Sequence, residues 1–243
     1  MGKKTIILTA AFIICSAYCV YAESGESEEK LKPFNISGDA EINIKGQYNR
    51  GSHNYGEISL AGSVKLFDQL SFALGTAYGK SSHSNDINVF FKTGYTPFSS
   101  EYLSPLGFSV SYIYNGFVDF QTHTHTILPV LSYNARRFGL SLGMNFRFSS
   151  FFGEAAQFES VFSLYIYYNF IYNENFRMGI GAGNFSDFYA RNLGAIWLNL
   201  NAAIRLNKNW LILSEIELMQ SGIDGLAVNF YGVSVKGGAR FSW

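Results

Sequence analysis

From Ile36 onward, apolar and polar residues alternate along nearly the whole chain with a period of two. In the first such stretch Ile36, Gly38, Ala40, Ile42, Ile44, Gly46 and Tyr48 fall on one face, and Asp39, Glu41, Asn43, Lys45 and Gln47 on the other. Successive side chains of a strand point to opposite faces, so this period predicts strands with one apolar face and one polar or small face. The pattern recurs with Ile58, Leu60, Val64 and Leu66 against Ser59, Ala61, Ser63 and Lys65. It continues with Leu70, Phe72, Leu74 and Tyr78 against Ser71, Ala73, Gly75, Ala77 and Gly79, a row of tiny residues that leaves space on its side. Further strands carry Ile87, Val89 and Phe91; Phe108, Val110, Tyr112 and Tyr114; Leu140, Leu142, Met144, Phe146 and Phe148. Beyond them come Phe162, Leu164, Ile166, Tyr168 and Phe170; Phe176, Met178 and Ile180; Ile196, Leu198, Leu200 and Ile204; Trp210, Ile212, Ile216 and Leu218. Residues 126–133 also read as a strand, but their two faces are ambiguous.

The connections carry a second regularity. Those at residues 67–69, 134–137, 173–175 and 207–209 are tight, whereas those at 149–159 and 183–194 are longer and fall at the other end of the strands. The stretch 96–106 (TPFSSEYLSPL) breaks the rule, being long and holding Pro97 and Pro105 on the tight side. About twelve strands of roughly ten residues follow from the pattern, and about ten is the alternative if a hairpin is miscounted there.

The last segment, residues 231–243 (YGVSVKGGARFSW), alternates Tyr231, Val233, Val235, Gly237, Ala239, Phe241 and Trp243 with Gly232, Ser234, Lys236, Gly238, Arg240 and Ser242. An alternating strand that ends on an aromatic resembles the closing strand of bacterial outer-membrane β-barrels. The resemblance implies an all-β fold, a transmembrane antiparallel up-and-down barrel over residues 36–243. It also implies that Tyr231, Phe241 and Trp243 form the signal read by the barrel assembly machinery. The short turns then face the periplasm and the longer loops the outside.

The N-terminal region fits that destination. Lys3 and Lys4 precede an apolar run from Ile6 to Ile14, and Val20-Tyr21-Ala22 suits signal peptidase, so residues 1–22 read as a cleaved signal peptide. The run is too short for a membrane anchor, which needs about 20 residues. Cys15 and Cys19 follow residues bulkier than a lipidation site uses, and both leave with the signal. Residues 23–35 are polar and acidic and read as a flexible periplasmic leader.

Composition narrows the choice further. Aromatics make up 17% of the chain, with 23 Phe and 16 Tyr, while charged residues make up only 15%. No segment after residue 35 is a continuous apolar run of about 20 residues, so helical spanning is excluded. Apolar surface that appears only in alternation is buried against lipid by a closed sheet, which leaves no unpaired backbone in hydrocarbon. A soluble sandwich or lipocalin-like barrel would instead point its apolar face inward. The 18 basic and 18 acidic residues balance, and loss of Lys3 and Lys4 tips the mature chain slightly acidic, which gives no attraction to nucleic acid.

Candidate chemistry lies on the inward face. Asp39, Glu41 and Lys45 on the first strand meet Lys236 and Arg240 on the last when the barrel closes, and Glu215 and Glu217 face the same side. Arg147, Arg177 and Arg205 are further inward positions. These charges either pair and stiffen the barrel or form acidic and basic walls along a narrow aqueous path. Twelve-stranded channels for acidic sugars are similar in size, but arginine dominates their lumens and the mixture here differs. His123 and His125 share one strand face and are a weak half-site for a metal, with Asp119 or His83 as further ligands. Outer-membrane lipid hydrolases place a histidine two residues before a nucleophilic serine; here His125 and Ile127 occupy the positions two and four residues after His123. Phe117, Phe120, Phe151, Phe152, Phe158, Phe185, Phe188 and Tyr189 fall in the outer loops and read as an aromatic girdle at the lipid boundary, or a greasy mouth. The expected function is a narrow, porin-like passive channel for small solutes, or a structural barrel, with an outer-membrane lipid hydrolase as the alternative. Expected partners are outer-membrane lipids and the assembly machinery; neither cofactor nor nucleic acid is expected.

Overall fold

The computed structural model describes residues 36–50, 54–67, 69–96, 105–150, 156–191, 195–221 and 229–243. Residues 1–35, which the sequence reads as a signal peptide and leader, and most of the 96–106 connection lie outside these residues, as do Phe151, Phe152 and the side chain of Tyr231.

Among the described residues there are twelve strands: β1 (Ile36–Asn49), β2 (Tyr55–Leu66), β3 (Leu70–Ser81), β4 (Asn85–Tyr95), β5 (Leu106–Phe117), β6 (Thr122–Asn134), β7 (Phe138–Ser150), β8 (Gln157–Tyr172), β9 (Phe176–Gly183), β10 (Trp197–Arg205), β11 (Trp210–Ser221) and β12 (Asn229–Ser242). Each pairs antiparallel with its neighbours in sequence, and β1 closes on β12. The count of twelve holds, and the ten-strand alternative falls. The outer face carries the predicted apolar rows, with Ile44 65% and Leu60 53% exposed. Their alternation with inward polar residues is what allows one sheet to meet lipid on one side and water on the other.

The seam runs in register from Asp39↔Ser242 to Asn49↔Gly232. At its end, Trp243 N–H donates to the Gly38 carbonyl (3.1 Å) and Gly38 N–H to the Trp243 carbonyl (3.3 Å). The Trp243 indole lies over Gly38, where a Cβ would come within 2.4 Å of the ring. Phe241 stacks beside it at 6.3 Å and packs on Trp210 at 5.1 Å, so an aromatic patch covers the seam at the turn end. The turns themselves are fixed by side chains. Asn173 Oδ1 accepts from the Asn175 and Phe176 N–H groups, and Asn207 Oδ1 from those of Asn209 and Trp210, a use for which asparagine suits a tight turn. At the other end the connections at 82–84 and 118–121 are also short, so the asymmetry of loop lengths rests on the remaining ones.

Two sequence readings change. The ambiguous sixth strand is apolar on both faces: Ile127, Leu131 and Tyr133 point out, while Leu128 and Val130 are buried inside. Its ladder to β7 is interrupted at Leu128 and Pro129, as expected where a proline has no N–H to give. The small inward residues of β3 leave less space than the sequence suggests, although Ser71 does line the lumen cavity. The Phe90 ring from β4 lies over Gly75, 2.3 Å from where a Cβ would stand. Tyr167 covers Gly139 in the same way at 2.0 Å. Glycine here makes room for a neighbouring aromatic rather than for water.

Candidate functional site

The longest loop between described strands, from β9 to β10, turns into the barrel. Residues 184–191 form a strap whose tip reaches β2, β4 and β5, on the far side of the ring. Its base is clamped by Asn184, which is fully buried. The Asn184 amide accepts from Leu164 N–H and donates to the carbonyls of Phe162 and Arg191, each at 2.8 Å. Ser186 N–H donates to the Tyr189 carbonyl at 2.7 Å, and Phe185 bridges to Ala190, which closes the strap into a compact lobe.

The tip is held by three kinds of contact. Lys92 of β4 pairs with Asp187 at 3.0 Å. Asn115 donates to the Phe188 carbonyl (2.8 Å), Asn88 donates to the Tyr189 hydroxyl (2.9 Å), and that hydroxyl donates to Glu57. Phe188 meets Phe90 edge-on at 4.9 Å, within a cluster of Phe90, Ile113, Leu128 and Val130 in which Ile113 is wholly buried. Burial of such apolar surface is the non-directional part of the attraction and the hydrogen bonds fix the position. The Lys92 ammonium beside Asp187 holds its carboxyl below the usual carboxylate range. Burial, with Glu57 next in importance, pushes the Tyr189 phenol up. Near the base, Arg147 donates to the Ala190 carbonyl and pairs with Glu159 at 3.3 Å.

Phe185, Phe188 and Tyr189 are therefore not part of an outer girdle, as the sequence reading had them; they are the inner surface of the strap. Their receptor, Phe90, Ile113, Leu128 and Val130, was also missed. The signal in the sequence is a set of inward-parity apolar residues on three consecutive strands. Phe117, Phe120 and Phe158 are exposed as expected.

The opposite wall, on β1, β11 and β12, carries seven of the ten charges read as inward: Asp39, Glu41, Lys45, Glu215, Glu217, Lys236 and Arg240. Lys45 pairs with Glu217 at 2.7 Å, and Ser234 donates to the same carboxylate at 2.6 Å. Lys236 lies 3.7 Å from Glu215, which also accepts from Asn199 at 2.5 Å. Arg240 reaches Glu41 through Nη2 (2.6 Å) and Nε (2.8 Å). Asp39 is held by hydroxyls, from Ser242 at 2.5 Å and Ser63 at 3.4 Å. Acids and bases thus interleave on one wall, and the separate acidic and basic walls do not form. Arg177 and Arg205 stand apart at the turn end with Arg136 and Lys208, around a recess of ≈580 Å³.

Between wall and strap lies a cavity of ≈600 Å³. Its lining combines the paired charges, the hydroxyls of Ser59, Ser71, Ser109, Ser111, Ser132 and Ser141, and the rings of Phe90, Tyr165 and Tyr167. It extends to Tyr95, Thr96 and Asn134 at the turn end.

The imidazoles of His123 and His125 lie 5.2 Å apart on the outer face, among Tyr112 and Tyr114, and His125 Nδ1 shares a 2.6 Å hydrogen bond with the Tyr112 hydroxyl. The suggested further ligands are engaged elsewhere: Asp119 accepts from Asn85, and His83 bonds to Ser82. Among the described residues no three histidine, cysteine or acidic side chains converge as a metal site.

No known family and no curated protein matches the sequence. Solved structures do match the fold. A KdgM porin in complex with disordered oligogalacturonate is 12% identical, with a TM-score of 0.56 over 84% of this chain and 99% of that one. The NanC porin is also 12% identical, with a TM-score of 0.56 over 82% and 98%. The fold is that of an outer-membrane porin. At this identity the likeness is one of architecture.

Proposed function

We propose that this barrel sits in the outer membrane of a diderm bacterium, delivered through a cleaved signal peptide, and conducts small polar solutes passively. The observation that carries this reading is the strap across the lumen, which leaves a ≈600 Å³ cavity that extends to residues at the turn end. A barrel of about twelve strands lies between the filled type of roughly eight and the open porins of roughly sixteen. Here the strap narrows it further.

The lining suggests the solute class. Paired charges present little net field, and serine hydroxyls offer both donors and acceptors. Such a wall suits neutral or zwitterionic polar molecules. The oligogalacturonate held by the KdgM porin would demand an excess of cations along this path, where each of Lys45, Lys92, Lys236 and Arg240 has a carboxylate partner. The apolar exterior supports contact with lipid, and the Trp243 seam is the part that assembly machinery would read. A hydrolase reading has less support, because His125 is hydrogen-bonded to Tyr112 on the outer face rather than to a serine.

Swelling of proteoliposomes tests the solute class. Small neutral sugars and zwitterionic amino acids are expected to enter faster than anionic sugars of similar size. Equal exclusion of all of them would overturn the channel reading.

A further inference from the structure

The recess at the turn end differs in charge from the rest of the interior. Arg136 comes from the β6–β7 turn, Arg177 from the first turn-side pair of β9, Arg205 from the end of β10 and Lys208 from the β10–β11 turn. Glu174 is the one carboxylate in its lining. None of the four cations forms an ion pair with a described residue, whereas Lys45, Lys92, Arg147, Lys236 and Arg240 all do.

The cations are also placed rather than loose. Tyr172 and Arg177 face each other across the β8–β9 ladder. The guanidinium of Arg136 lies 5.0 Å from the centre of the Tyr172 ring and that of Arg177 lies 5.8 Å from it. Stacking on one tyrosine orients two planar forks and removes part of their rotational freedom. Arg205 is brought close because its N–H donates to the Asn175 carbonyl at 2.8 Å, which ties the β8–β9 turn to β10. Two guanidiniums sharing one ring repel each other, and Glu174, though it lines the same recess, forms no ion pair with either. An anion between them would offset that repulsion.

We propose that this recess is a binding site for small soluble anions that carry two adjacent phosphate or carboxylate groups. Its ≈580 Å³ exceeds what one phosphate fills, and its cations come from two turns and two strand ends, so two linked anionic groups can engage them together. Arginine forks pair with such groups through parallel N–H···O bonds. The ligand approaches from the side of the short turns. Binding there does not depend on whether the lumen conducts.

Isothermal titration of the full barrel in detergent with inorganic pyrophosphate, and separately with citrate, tests the proposal. Saturable binding is expected, weakening as potassium chloride rises. Arg177→Gln with Arg205→Gln should weaken it by about tenfold or more, since each lost charge-assisted bond is worth roughly that factor. Lys80→Gln, near the far end of β3, should leave it unchanged. Should the arginine pair prove necessary for folding, Arg136→Gln with Lys208→Gln, which touches only turns, should weaken binding instead. Absence of saturable binding in the unaltered protein, or equal affinity in every variant, would overturn the site.

Discussion

Lys45 and Lys236 stand directly opposite each other across the β1–β12 seam, an arrangement that destabilises a strand pair on its own. It is tolerated because β11 supplies a carboxylate to each, Glu217 to Lys45 and Glu215 to Lys236. Lys45 reaches Glu217 across β12, where the small Ser234 leaves the way open. Neutralising Glu215 and Glu217 together to glutamine should strand both ammonium groups in the lumen and tilt ion selectivity toward anions. Reversal potentials in a salt gradient measure this, and unchanged values would mean that the two carboxylates do not line the conducting path. The set of charges was legible in sequence, because strand parity alone decides which residues face inward. The partner each one takes was not, because that depends on stagger between strands and on which neighbours are small.

At the scale of elements, the closing strand and the strap teach opposite lessons. β12 was readable because its alternation is unbroken and its aromatic end is covered by a rule about edges: the last strand must pair, and Trp243 pairs with Gly38 through both backbone bonds. Replacing Trp243 with aspartate removes the ring over Gly38 and puts a charge at the lipid boundary. The variant is expected to lose heat-modifiable gel mobility and to accumulate unfolded; normal mobility would refute the role given to this seam. The strap was not readable. A phenylalanine at the lipid boundary and one turned into the lumen look the same in one dimension. What decides between them is Asn184 at the base and the apolar patch of β4 to β6 at the tip, which are joined only after the barrel closes. The same patch blurred the reading of β6, since Leu128 and Val130 break the rule that the inner face is polar.

For the whole molecule, the barrel sets an outer limit on the path and the strap sets the inner one. The wall opposite the strap is nearly neutral through pairing, the strap side joins an apolar cluster to one ion pair, and the turn-end mouth is basic. Single-channel conductance in a planar bilayer tests this account most directly, comparing the unaltered protein with Asp187→Ala, Phe188→Ala and Tyr189→Ala combined. These changes remove the Lys92 pair, the ring on Phe90 and the tether to Glu57 while leaving the strands intact. The account predicts small, steady conductance for the unaltered barrel and a rise of roughly twofold or more for the variant, as the lumen approaches the width its strand number allows. Equal conductance in the two, or none in either, would contradict it.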